Sequence, residues 1–458
     1  MNVSSIFVDP PRRFLSGVHA DWKEHYFSAI LSIGIIFIFS NGWNAPLFGF
    51  KDDATANSLI LKVVYYPFYL MGFILVFMRW RMGIEAIWRA GFLTLLLLMS
   101  GASYYWSIDP STTMRRVIAL WFTAVCAFGV AARFNWRDLT EILAFCFGVL
   151  AFLSLIWIVL IPSQGIDHEL HIGAWRGLWK DKNGFGAIMA MGAVSALAAS
   201  IHVPKRRRFW LGLSLLSVFL VIKSTSGTSL LMVLLGIFSM FVIFIASRGP
   251  IIATVVIWGG VSFLLIVGLL LWQDPSLAFK AISKDPTLTG RIFIWEGIDK
   301  VMESRPWLGY GYGVVWTDMG FWSPLAWITS IAGFRAFHAH SDWYEVWLAL
   351  GGVGLALYVF FAFDLMIKAL LSSVISSSSY LALPLCAVYF LGSLTESSSL
   401  AWNHLQWAIL MIMAIKLSVP LRFQAHTASS KNAVPTDIKK AEPQRSLAPL
   451  SQIDNRFP

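Results

Sequence analysis

About twelve apolar stretches follow one another along this chain, and they limit its fold more than any other feature. They lie near 26–41, 58–78, 88–106, 115–132, 139–161, 184–201, 209–225, 228–247, 250–272, 343–371, 379–397 and 400–419. A helix needs about 17–25 apolar residues to cross a hydrocarbon core. Inside that core each backbone N–H and C=O has to be satisfied without water, which leaves helices or closed barrels. The series predicts an all-α polytopic membrane protein of about twelve transmembrane helices. Composition agrees, with 57% of the 458 residues hydrophobic and 13% charged, about half the charge of a soluble domain. Cys126, Cys146 and Cys386 all fall inside apolar runs. They read as small buried hydrophobes, not as a disulfide set or a metal cluster.

Arg12, Arg13 and Lys23 precede the first run, and no small-residue cleavage site follows it. That run reads as a retained span, not a secretory signal. With the N-terminus in the cytoplasm, one side collects Arg79, Arg81, Arg89, Arg133, Arg137, Lys205 to Arg208, Arg248, Lys368 and the basic tail. This is the positive-inside pattern, so the net charge of +10 is topology information and implies no nucleic-acid partner. The expected organisation is a cytoplasmic segment at 1–25, a transmembrane bundle of about nine spans at 26–272, a large periplasmic loop at 273–342, three further spans at 343–419, and a disordered cytoplasmic tail at 420–458.

The 273–342 loop is far longer than a usual connection, and its many aromatics argue against disorder. Thr289 is a candidate N-cap for a helical pattern through Ile292, Trp295, Ile298 and Met302 that stops at Pro306. Arg291 then falls in the first turn, where free N–H groups and a guanidinium fork suit a pyrophosphate. Pairing of Arg291 with Glu296 is the structural alternative. His340 stands where the loop re-enters the membrane, and a neutral imidazole is the commonest general base near neutral pH. His338, His340 and Asp342 form an alternating array that suggests zinc, but no second His/Cys cluster completes a ligand set, so no metal is expected. Glu396, at the outer end of a span, is a functional candidate because ionisable groups there are costly.

Three smaller loops share the outer face on this topology. They are Trp106 to Pro110 followed by Arg115 and Arg116, the 162–183 loop with Arg176, Lys180 and Lys182, and the Lys223 to Thr228 turn. With these assembled, the chain resembles the bacterial O-antigen ligase / O-antigen polymerase superfamily, most closely the ExoQ-type exopolysaccharide repeat-unit polymerases. Four motifs carry the resemblance over roughly residues 30–420. They are Trp106–Pro110 with Arg115 and Arg116; Arg176–Asn183; Thr289–Trp295 with Pro306–Gly311; and His338–His340 with Gly351, ten residues lying between His340 and Gly351.

The resemblance implies a GT-C-like glycosyltransferase architecture in the bacterial inner membrane, with no cofactor or metal and an undecaprenyl-pyrophosphate glycan as donor. It makes His340 the base and Arg291 the pyrophosphate ligand. Arg176, Lys180, Lys182, Lys223, His338, Asp342 and Glu396 are further candidates for binding substrate. Relatives carry a basic residue where this chain has Gly227, so one of Lys223, Arg176, Lys180 or Lys182 is the expected substitute. Ser341 stands where relatives often have Asn, and Asp342 after it either orients an imidazole or is solvated. The function implied is polymerisation of lipid-linked repeats, beside a flippase and a chain-length regulator. A ligase that moves a finished glycan to lipid A-core is the alternative, and a lipid or polysaccharide transporter is the alternative of another class.

Overall fold

The computed structural model describes residues 21–49, 59–78, 88–169, 171–249, 251–256, 258–260, 262, 290–375 and 380–418. The N-terminal 20 residues, most of the expected span at 250–272, the loop through Thr289, and the tail from 419 lie outside the described residues. Among the described residues the protein is helical. The helices are α1 (Asp21–Phe39), α2 (Leu59–Phe77), α3 (Gly91–Ala102), α4 (Pro110–Arg133), α5 (Trp136–Leu160), α6 (Lys182–His202), α7 (Arg207–Lys223), α8 (Gly227–Ala246), α9 (Arg291–Met302), α10 (Pro324–Ala332), α11 (Asp342–Ile375), α12 (Ala382–Gly392) and α13 (Leu405–Ser418). An isolated antiparallel bridge joins Ile166 to Trp175. Five of these helices, α4, α5, α6, α8 and α11, are long and apolar enough to cross a bilayer, and shorter apolar helices pack beside them. The protein is a multi-pass membrane protein.

Helix starts follow local chemistry. The Asp109 carboxylate accepts from Thr112 N at 3.1 Å with Pro110 at the first helical position, Asn135 caps α5 through Asp138 N at 2.9 Å, and Asp181 caps α6 through Gly184 N at 2.7 Å. Each satisfies an amide the helix leaves unpaired. Small residues then let backbones approach, as is usual where lipid offers no hydrophobic drive. A Cβ on Gly72 of α2 would come within 2.5 Å of the Cys126 sulfur on α4, and one on Gly236 of α8 within 2.3 Å of Val194 on α6. All three cysteines are buried and free.

Two local features depart from a plain series of spans. The sequence predicts spans at 379–397 and 400–419, but α12 ends at Gly392 and α13 begins at Leu405. The polar stretch between them forms a turn, with Leu400 and Asn403 in left-handed backbone conformations. Asn403 is anchored there: its side-chain oxygen accepts from Tyr69 Oη at 2.6 Å, and its N–H donates to Thr123 Oγ1 at 2.9 Å.

The second feature is a break in α11 at Gly351, where φ is 66° and ψ is −167°. The Pro306–Gly311 segment enters this break. Tyr310 N donates to Leu348 O at 3.0 Å, Gly311 N to Ala349 O at 3.0 Å, and Gly352 N to Pro306 O at 2.8 Å. The segment thereby takes up the helical groups that the break frees.

Helix ends sort into two groups. At one end α4 and α13 finish together, where the Lys416 ammonium donates to Phe134 O and Arg133 pairs with Glu24 at 2.8 Å. At the other end the N-termini of α4, α6, α8 and α11 meet the C-terminus of α12 and the 290–341 segment. There Ile108 N donates to Tyr310 O at 3.1 Å and Asp342 N to Ser393 O at 2.9 Å.

Candidate active site

Arg291 opens α9, and Gly290 before it has φ 86°, a left-handed cap without a side-chain hydrogen bond. Thr289, expected as the cap, lies outside the described residues. The Arg291 guanidinium does not pair with Glu296, which is exposed. It reaches the turn after α12 instead: Nη1 donates to the Thr395 carbonyl and Nη2 to Glu396 Oε1 at 3.0 Å. The Arg291 and Glu396 side chains are only 15% and 18% exposed.

The same carboxylate faces His340, whose Nδ1 lies 3.9 Å from Glu396 Oε2. That Nδ1 is buried and has no hydrogen-bond partner, while the side chain as a whole keeps 32% of its exposure. The open part of the ring is therefore the part away from Glu396. Burial, reinforced by the neighbouring His338 and Arg291, holds the His340 imidazole far below its ordinary value, so it is neutral at physiological pH. Burial pushes Glu396 up to about 7, against the opposing pull of Arg291.

His340 has φ 52°, an uncommon conformation outside glycine that reflects tertiary restraint. The restraints are the groups that grip Ala339. Its N–H donates to Glu345 Oε1 at 2.6 Å, and its carbonyl accepts from Trp295 Nε1 at 2.8 Å. Glu345 Oε2 takes a second donor, Trp316 Nε1, at 2.8 Å, and Trp295 stacks on Tyr344 with centroids 5.2 Å apart. His338 lies against His340 with ring centroids 3.9 Å apart, and its Nδ1 accepts from His340 N at 3.3 Å.

Asp342 corrects the expectation that it binds substrate, orients an imidazole or is solvated. It is fully buried. Its Oδ1 accepts from Ser398 N at 2.5 Å and Ser399 N at 2.7 Å, and its Oδ2 from Ser398 Oγ at 3.3 Å and Ser399 Oγ at 2.5 Å. The Ser399 hydroxyl has one proton, spent on Asp342, so Tyr358 and Tyr389, each 2.7 Å away, are the donors to its oxygen. Asp342 thus holds the turn that presents Thr395 and Glu396. Among the described residues no group of three or more His, Cys, Asp or Glu side chains is arranged to hold a metal ion.

The four basic candidates separate. Lys182 Nζ lies 3.4 Å from Thr225 Oγ1, in the turn that carries Gly227, and Thr228 of the same turn meets Thr395 Oγ1 at 3.2 Å. Lys182 is therefore joined to the Arg291 cluster. Lys223 lies over the Trp175 and Phe219 rings at 5.5 and 5.8 Å. Arg176 donates to the Gln164 and Lys180 carbonyls at 2.9 and 3.5 Å, an internal brace of its loop. Lys180 contributes that carbonyl to the brace.

The Trp106–Pro110 motif and its arginines also prove to be a brace. Trp106 Nε1 donates to Leu308 O at 2.7 Å, Thr113 Oγ1 to Tyr312 O at 3.2 Å, and Arg116 to the Gly313 carbonyl. Gly311 has φ 102°, and a Cβ there would meet Ser107 Oγ at 2.5 Å. Gly309 lies against the α11 backbone, Gly311 against Ser107 and Gly313 against the Arg116 and Trp402 side chains. Thr395, Glu345, Trp295 and Ser399 were not predicted as site residues; the polar run from Thr395 to Ser399 between two apolar stretches was the available signal.

An O-antigen ligase family model matches residues 212–359, which include Arg291, the Pro306–Gly311 segment, His338, His340 and Gly351. The exopolysaccharide production protein ExoQ of Rhizobium meliloti (strain 1021) is 27% identical over 339 residues, covering 70% of this chain and 76% of that protein. Over these stretches the chain is similar to O-antigen ligases and to ExoQ. The segment matched by the family model supplies the arginine, the imidazole and the helix break. Glu396, which faces both functional side chains, lies beyond the residues matched by the family model.

Proposed function

We propose that this protein is a metal-independent glycosyltransferase of the periplasmic face of the bacterial inner membrane. It polymerises undecaprenyl-pyrophosphate-linked repeat units into exopolysaccharide or O-antigen. The observation that carries this reading is a neutral imidazole and a guanidinium facing opposite oxygens of one buried carboxylate. Orientation rests on charge: Arg133, Arg137, Lys205 to Arg208 and Lys416 gather at the end away from the site, and such ends face the cytoplasm.

The donor pyrophosphate takes Glu396's place on Arg291, with Lys182 as the second cation in place of the missing basic residue at 227. The acceptor hydroxyl oxygen attacks the anomeric carbon of the donor sugar. The bond from that carbon to the pyrophosphate oxygen breaks, and its electron pair stays on the departing lipid pyrophosphate, whose charge Arg291 stabilises. The hydroxyl proton passes to the exposed edge of His340, a contribution of about 10²–10⁴-fold. Glu396, released from Arg291, then accepts the Nδ1–H of the imidazolium, the usual task of an acid behind a catalytic histidine. A flippase to deliver repeats and a chain-length regulator are the expected partners.

A ligase reading is favoured by the description of the matching family model; it shares this chemistry and differs only in the acceptor. Purified protein given lipid-linked repeat units alone, in EDTA, is expected to form a ladder of lipid-linked multiples. His340→Ala and Arg291→Ala are each expected to insert normally and form none. Transfer only after lipid A-core is added means ligase. A normal ladder from either variant overturns the assignment.

A further inference from the structure

A cleft of about 660 Å³ opens between the C-terminal half of α9 and the 318–327 segment, within the roughly 300–1,000 Å³ of ordinary ligand sites. Arg291, His340 and Glu396 do not line it. Lys300 does, nine residues along α9 from Arg291, about 14 Å at 1.5 Å per residue. One pyrophosphate cannot span the two places, but a chain attached to it can.

The lining combines flat aromatic faces with fixed polar groups. Trp322 and Trp327, 77% and 49% exposed, line it. Tyr310 also lines it, its hydroxyl fixed by Val301 O at 2.6 Å and Ser304 Oγ at 2.8 Å. Arg305 stacks on Tyr310 at 5.3 Å while donating to Trp106 O at 3.1 Å. Asp318 is set by Gly320 N at 2.9 Å. A pyranose ring shows C–H groups on its faces and hydroxyls around its edge. The C–H faces suit the electron-rich indole surfaces, and the hydroxyls suit the guanidinium and carboxylate. A lipid tail would gain nothing from Arg305 and Asp318.

We infer that this cleft is a second saccharide subsite, holding sugars of the growing glycan remote from the reacting one. The inference rests on the glycan-transfer reading. Its scaffold is shared with the catalytic site, because the segment carrying Tyr310 is docked in the α11 break.

The test uses the full-length protein in nanodiscs and short oligosaccharides, cut from the producing bacterium's extracellular polysaccharide and freed of lipid. Saturation-transfer NMR is expected to show binding. The double variant Trp322→Ala/Trp327→Ala should weaken it about tenfold, the loss of two aromatic contacts, and shorten the product ladder. Trp322→Phe/Trp327→Phe, which keeps the ring faces, should restore both. Equal affinity and ladder length in the alanine variant overturn the subsite. A wild-type protein that binds the oligosaccharides yet makes no polymer would overturn the transferase reading and leave the subsite standing. A fluorophore on Phe321→Cys, the native cysteines being buried, tests the remaining outcome: quenching only by a lipid-soluble agent places these aromatics in the bilayer and also overturns the subsite.

Discussion

Glu396 serves two masters, Arg291 at 3.0 Å and His340 at 3.9 Å, and this gives the site a particular pH response. The His340 imidazole titrates at about 6.5 in the unfolded chain and far lower in the folded one. Its stabilising contribution is complete above pH 6.5 and falls as the pH drops below it. Glu396 is displaced the other way, from 4.5 to about 7, so its contribution is complete below pH 4.5 and falls as the pH rises to 7. Between about 4.5 and 6.5 the two slopes cancel, each being about 1.4 kcal/mol per pH unit for one proton. Glu396→Gln removes one of them. On acidification through that window, thermal unfolding of this variant in detergent should lose more stability than the wild type does, the difference being the Glu396 slope; parallel curves would show that Glu396 is not displaced in this way. Arg291→Lys is a second residue-scale test. A single ammonium cannot reach both Thr395 O and Glu396 as the fork does, and loss of one charge-assisted bond, about 1.5–3 kcal/mol, should lower polymer synthesis at least tenfold.

Among the elements, the broken helix α11 does the most to place the chemistry. The spacing of ten residues between His340 and Gly351 was visible as a pattern, and its cause is geometric. The helix has to start at Asp342, beside the turn after α12, and open at Gly351 to admit Pro306–Gly311. A Cβ on Gly351 would lie 2.2 Å from the Trp307 carbonyl carbon, at φ 66°. Strain of about 1–3 kcal/mol in such a conformation adds to that clash. Gly351→Ala should therefore fail to give a monodisperse peak in size-exclusion chromatography. Gly352→Ala, whose nearest contact is 3.3 Å, should survive; equal behaviour of the two would mean the break is dispensable. The 306–311 segment is backbone docked into a helix, a role that could not be read without its partner.

For the whole molecule, the site is a junction between bundle and loop. Arg291, His338 and His340 come from the 290–341 segment, while Lys182, Thr225 and Thr395 come from the ends of α6, α7 and α12. Lys182→Ala should raise the donor KM about tenfold, the worth of one charge-assisted contact, with kcat nearly unchanged; an unchanged KM would remove Lys182 from the donor site. The sequence by itself determined the helical, multi-pass class, because backbone groups in hydrocarbon have few solutions. Local chemistry also fixes several helix starts, those capped by Asp109, Asn135 and Asp181, because caps act within a few residues, and the sequence singled out Arg291 in the first turn of a loop helix and His340 where the loop re-enters the membrane. Only the tertiary structure decided that Arg291 pairs with Glu396 and not Glu296, that Asp342 is a buried pin for Ser398 and Ser399, and that Lys182 reaches Thr225 in the Gly227 turn. Those choices depend on which helix ends meet, over separations of 40 to more than 100 residues, and local pattern carries no information at that range.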